Sequence, residues 1–162
     1  MPDRYTVYPR TLIFLFNGEE VLLIQRSPQA ALFPGKYNGV GGHVERGEDV
    51  LSSARREVRE ETGLDASDLS LRGVLHVDEG KDRPGVLVFV FVGHTTRRNV
   101  AESGEGRLHW VPLARMGELN LMPDLPPLLA HIAALPAGAG PLFARSRIRP
   151  DGSGWERLEI AG

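Results

Sequence analysis

A chain of 162 residues that is 41% hydrophobic and 25% charged has the composition of an ordinary folded domain, able to bury about two-thirds of the surface its unfolded form exposes. The formal charge of −2 excludes a global basic field that would draw in nucleic acid regardless of its sequence, so nucleic acid is a disfavoured partner. Cysteine is absent, which excludes disulfides, thiolate nucleophiles and thiolate zinc sites, and nothing argues for an oxidising compartment.

Residues 1–10 lack the uninterrupted apolar run of a signal peptide, and the apolar stretch 12–16 is too short to cross a bilayer, so a cytoplasmic protein with no membrane partner is expected. Residues 5–16 are rich in β-branched and aromatic side chains, Asn17-Gly18-Glu19-Glu20 interrupts them, and 21–26 resumes as a second apolar run. This predicts a hairpin. Pro28, Pro34 and Gly35 mark 27–36 as a loop leading into a glycine-rich segment at 39–42. From Asp49 onward Val50, Leu51, Ala54 and Val58 recur at helical spacing, and Gly63 stands where a C-terminal cap belongs.

Two further strands are expected at 70–77 and 86–92, the second almost wholly apolar and therefore central. A turn-rich, acidic stretch with Glu102 and Glu105 precedes a strand at 108–111, a short helix at 112–119 and a longer one at 125–135. The chain then reads as a hairpin, with strands at 143–149 and 155–160 around the turn 150–154. With neither repeat nor linker, residues 1–162 are expected to form a single domain, and strands and helices mixed in this order predict an α/β sandwich.

The predicted helix carries Glu57, Glu60 and Glu61 together. Glu57 and Glu61 lie about 40° apart around a helix, with Glu60 about 60° to the other side of Glu57, so all three carboxylates can converge on a cation. Arg55, Arg56 and Arg59 also allow a solvated, self-neutralising face. The glycines upstream favour the cation: Gly39, Gly41 and Gly42 let backbone approach an ion closely, and oxygen ligands suit a hard divalent metal.

Gly42, Glu48, Arg56, Glu57, Val58, Glu60, Glu61, Gly63 and Leu64 have the residue types and spacing of the Nudix box, without a departure. A chance match at a given start is on the order of one in 10⁹ at background residue frequencies. By this resemblance to the Nudix hydrolases the chain is expected to form a Nudix-type α/β/α sandwich with a mixed β-sheet. The resemblance further implies hydrolysis of a nucleoside diphosphate linked to another moiety, with Mg²⁺ or Mn²⁺ as cofactor. It makes Glu57 and Glu61 the principal metal ligands, Glu60 a further ligand or the water-activating base, and the Gly41 carbonyl an additional ligand. Arg56 would orient the glutamates, while Glu48 at the helix start also complements the helix dipole.

Many members use a further acid outside the box as ligand or base. Glu105, five residues before Trp110, stands where MutT-type triphosphatases of oxidised purines resemble this chain after the box, with Glu102 the alternative. Tyr37-Asn38 resembles the aromatic and asparagine that purine-triphosphate sanitising members place before the glycines, and Met122-Pro123-Asp124 resembles their purine-contacting segment. Two departures stand out: Met122 replaces an aromatic platform, and Leu125 replaces a second acid. Asn38 also reads as a turn residue and Asp124 as a helix N-cap.

The function implied is a metal-dependent pyrophosphohydrolase of purine nucleoside triphosphates, oxidised ones included, yielding monophosphate and pyrophosphate. Alternatives are dinucleoside polyphosphate, nucleotide-sugar or RNA-end hydrolysis, and a non-catalytic nucleotide-binding module. The isopentenyl diphosphate isomerases of the same fold rely on a cysteine, which this chain lacks. Monomer and homodimer both remain open.

Overall fold

The computed structural model describes residues 4–101, 103–149 and 156–161. The first strand, β1 (Val7–Asn17), buries Ile13 and Leu15 on one face and Phe14 on the other, so it is covered on both sides, as its continuous apolar run requires. β2 (Glu20–Arg26) returns antiparallel, but the two strands pair only at Phe16–Val21 and Asn17–Glu20. Beyond those pairs β1 and β2 diverge. β2 then pairs along its whole length with β6 (Gly106–Pro112), while residues 40–44 take the vacated edge of β1. The backbone bonds there run from Thr11 N–H to the Gly42 carbonyl at 2.8 Å and from Ile13 N–H to the Val40 carbonyl at 2.7 Å.

β3 (Tyr37–Asn38) lies inside the region read from sequence as loop and its exit, and pairs with β2 at Ile24–Asn38 and Gln25–Tyr37. Two residues are too few to show a periodicity. β5 (Gly85–His94) runs parallel to β1 and antiparallel to β4 (Ser70–Asp78), which bears out the central strand expected from its apolar run. β7 (Leu142–Arg147) is parallel to β4, and β8 (Glu159–Ile160) pairs antiparallel with β7, as expected for a terminal hairpin. The expected turn at 150–154, together with Trp155, lies outside the described residues. The resulting mixed eight-stranded sheet has the order β3-β2-β1-β5-β4-β7-β8, with β6 branching from β2.

Helix α1 (Val50–Thr62) begins at Asp49, whose carboxylate accepts from the N–H groups of Leu51 and Ser52, and ends at Gly63 in the left-handed conformation that favours glycine. Its Ala54 and Val58 pack on Ile13, Leu15, Leu22, Val40 and Phe91 on one face of the sheet. A 3₁₀ turn (Leu113–Glu118) leads to α2 (Leu125–Ala134), whose Leu125, Leu128 and Ile132 pack on Phe14, Val21, Leu23 and Val90 on the other face. The result is the α/β/α sandwich read from the sequence. Among the described residues no helix is long and apolar enough to cross a membrane.

Candidate active site

The diverging β1–β2 pair sets the site. Residues 41 and 42 are pinned to β1 on one side and face α1 on the other. Gly41 has φ +150°, and a Cβ there would lie 2.1 Å from the Thr11 carbonyl oxygen, so only glycine fits. A Cβ on Gly42 would fall 2.3 Å from Glu57 Oε1. The absence of side chains at these two positions is what lets α1 bring its carboxylates against backbone.

Glu57 and Glu61 are buried, with 9% and 4% of their surface exposed. Glu61 Oε2 accepts from Gly41 N–H at 3.2 Å. Burial, then a hydrogen bond to the Glu105 carboxyl and the charge of Glu105, push Glu61 up to about 8. Burial likewise raises Glu57. Glu105, on the turn entering β6 and 44 positions along the chain from Glu61, is thus brought against the box helix. Glu102 lies outside the described residues.

Glu60 is placed differently. It is exposed, and its Oε2 accepts from Arg56 Nη1 at 3.1 Å. The same Nη1 donates to Glu57 Oε1 at 2.9 Å, while Nε and Nη2 grip Glu48 as a fork at 3.1 and 2.8 Å. Nη2 also reaches the His43 carbonyl at 3.1 Å. Arg56 therefore ties the start of α1, the glycine segment and two glutamates into one network, well beyond a surface ion pair. Arg56 first, and the Glu45 N–H second, hold the Glu48 carboxyl down at about 2.

At the far end of β3 the two candidate base-reading segments meet. Tyr37 N–H donates to the Asn120 carbonyl at 2.9 Å and Met122 N–H to the Tyr37 carbonyl at 3.0 Å. Met122 is buried, and the Tyr37 ring stands 5.5 Å from that of His109 at 57°. Asn38 Oδ1 accepts from Gly39 N–H at 2.9 Å. Asp124 stands at the N-cap position of α2, as one reading of the sequence has it, but its side chain makes no capping hydrogen bond, and burial raises its carboxyl.

The NUDIX domain model matches residues 8–132. The chain belongs to the Nudix hydrolase family. Among its relatives, the Nudix hydrolase YvcI of Bacillus subtilis is 34% identical over 113 residues, covering 67% of this chain and 68% of that one. The oxidized purine nucleoside triphosphate hydrolase of Mus musculus is 31% identical over 116 residues, covering 70% and 72%. The MutT protein of Bacillus halodurans superposes with a TM-score of 0.79 at 23% identity, covering 95% of this chain and 97% of that one, a likeness of fold.

As a Nudix hydrolase the chain is a pyrophosphohydrolase, and Nudix sites typically take a divalent metal. Among the described residues no three of His, Asp or Glu form a ready-made cage. Glu57 and Glu60 are turned to Arg56, and Glu61 to Gly41 and Glu105. The donor set still fits a hard ion: oxygen atoms only, two carboxyls that burial holds above their ordinary range, and an adjacent glycine backbone. Mg²⁺ characteristically takes few protein ligands and completes its shell with water and phosphate.

Arg10 is a site neighbour that the sequence does not flag. A single arginine in a strand reads as an edge residue, and only the pairing of β1 with the glycine segment, at Arg10–His43, places it here.

Proposed function

We propose that this Nudix hydrolase cleaves purine nucleoside triphosphates, oxidised purines included, to monophosphate and pyrophosphate with Mg²⁺ or Mn²⁺. The observation that carries the reading is the backbone junction joining Tyr37 to 120–122, which brings a ring and the neighbouring amide to the segment that carries the half-buried, non-capping Asp124 carboxyl. That combination suits a flat heterocycle with donors and acceptors on its edge. The likeness to the mouse oxidized purine nucleoside triphosphate hydrolase supports the same substrate class.

In the proposed reaction water adds to a phosphorus of the phosphoanhydride, the P–O–P bond breaks, and pyrophosphate leaves. Glu57 and Glu61, with Glu105, Glu60 and the Gly41 carbonyl as further donors, would hold the metal. A bound divalent ion supplies charge neutralisation for the phosphate oxygens and the attacking oxygen. The proton of the attacking water passes to a carboxylate, for which Glu105, in contact with Glu61 yet open to solvent, and Glu60, on the exposed flank, are the candidates. Arg56 holds Glu57 and Glu60 in orientation. Tyr37 and Met122 would pack against the base, and Asn38 and Asp124 would read its edge.

The test is a pyrophosphate-release assay across purine, 8-oxo-purine and pyrimidine triphosphates, a dinucleoside polyphosphate, a nucleotide sugar and a capped RNA, each with Mg²⁺ and Mn²⁺. The proposal expects purine triphosphates to give the highest kcat/KM. Preference for any other class would replace the substrate reading, and tight nucleotide binding without turnover would make the chain a binding module.

A further inference from the structure

Arg10 lies in register with His43, one residue from Thr11, whose N–H donates to the Gly42 carbonyl at 2.8 Å. The far side of this glycine pair receives Glu61, through Gly41 N–H, and Glu57, through the space that a Gly42 Cβ would fill. Arg10 is therefore about one strand spacing, roughly 5 Å, from the segment against which both carboxylates rest. Alternation along β1 sends Ile13 and Leu15 to the α1 face and Leu12 and Phe14 to the α2 face. Arg10 shares the parity of Leu12 and Phe14, so it belongs to the face that also carries Tyr37 and Met122.

The side chain is half-buried, and its guanidinium has no hydrogen bond or ion pair among the described residues. Burial first, and the charge of Arg26 second, lower its pKa, against the attraction of Glu57, Glu105 and Glu61. A guanidinium offers five donors, and leaving them unmatched in a partly dry site is costly. Metal on the glutamates would cancel their attraction and leave Arg10 facing positive charge. An oxyanion bridging metal and arginine satisfies both.

We propose that Arg10 grips the polyphosphate chain of the substrate, donating to non-bridging phosphate oxygens on the base-binding side of the glutamates. The assignment rests on the pyrophosphohydrolase reading for its ligand class, and does not depend on which base is recognised.

Calorimetric titration of the full chain with inorganic tripolyphosphate in Mg²⁺ tests it, alongside Mn²⁺ binding followed by electron paramagnetic resonance. Arg10→Ala is expected to weaken tripolyphosphate binding by about tenfold or more, the loss of a charge-assisted contact, with Mn²⁺ binding changed by less than about threefold. Arg10→Lys should recover part of the loss, because lysine keeps the charge but not the planar fork. Arg10→Met keeps the stem and carries the test if the alanine variant does not fold. Unchanged tripolyphosphate affinity, or an equal loss of Mn²⁺ affinity, overturns the assignment. An inactive nucleotide panel with Arg10-dependent tripolyphosphate binding would instead sink the nucleotide reading and leave Arg10 in place.

Discussion

Gly42 and Glu57 touch across the junction between the glycine segment and α1: the Cβ that any other residue would place at 42 lies 2.3 Å from Glu57 Oε1. The neighbour in the way is the end of a flexible side chain, which can move. At Gly41 the neighbour is the Thr11 carbonyl, which cannot, and φ is +150°. The two glycines should therefore fail differently. Gly42→Ala is expected to keep the fold and lower kcat by roughly a hundredfold through displacement of Glu57. Gly41→Ala should lose about 3 kcal/mol or more of stability, seen as a melting temperature lower by roughly 6–12 °C. Equal melting temperatures for the two variants would contradict this account.

Glu57→Gln is expected to fold as the wild type does, since it replaces a buried carboxyl already held above its ordinary range by a neutral group of the same shape. Turnover at saturating Mg²⁺ should fall by about two orders of magnitude or more, because the amide loses the ligand charge. Circular dichroism and a pyrophosphate assay on the same sample check both halves. Wild-type rates would remove Glu57 from the metal set.

Glu61 makes stability depend on pH in the metal-free protein. Its folded carboxyl holds its proton up to about 8, against an ordinary value of 4.5. Across that window the folded state binds a proton that the unfolded state has released. The contribution of Glu61 is thus undiminished below about pH 4.5, declines towards pH 8 and is level above it. Metal-free wild type should lose melting temperature relative to Glu61→Gln between about pH 5 and pH 8. Mg²⁺ binding at neutral pH should release close to one proton, read by calorimetry in buffers of different ionisation enthalpy. A pH-independent difference between the two proteins would count against this.

Glu48 has the opposite sign. With Arg56 and the Glu45 N–H holding its carboxyl near 2, its stabilising charge is present above the ordinary 4.5 and is lost as pH falls through about 2. Glu48→Gln should be less stable than wild type in denaturant titrations at neutral pH, and the gap should close on acidification. If the gap persists at the lowest pH, the Glu48–Arg56 fork is not its source.

Asp124→Asn tests the base-reading end. The carboxyl caps nothing, so the exchange should leave α2 intact. KM for purine triphosphates is expected to rise about tenfold, with pyrimidine triphosphates changed by less than about threefold. A uniform rise for all bases would move Asp124 out of base recognition.

The residues of the box lie within 42–64, and their meaning is local. A helix period fixes how Glu57, Glu60 and Glu61 are spaced, Gly63 ends that helix, and the glycines before it permit a close approach, so family, fold and metal-site candidates were legible from one stretch of chain. A continuous apolar run likewise located the central strand β5. What the sequence could not convey is set by contacts between distant segments. The divergence of β1 from β2 lets residues 40–44 bond to β1 and brings Arg10 to the site. The turn before β6 lays Glu105 against Glu61, and Arg56 Nη1 holds Glu57 and Glu60 together while Glu61 turns to Gly41. Backbone spacing repeats along a chain and can be read from it, whereas the partner a charged side chain finds depends on which strands the fold has set side by side.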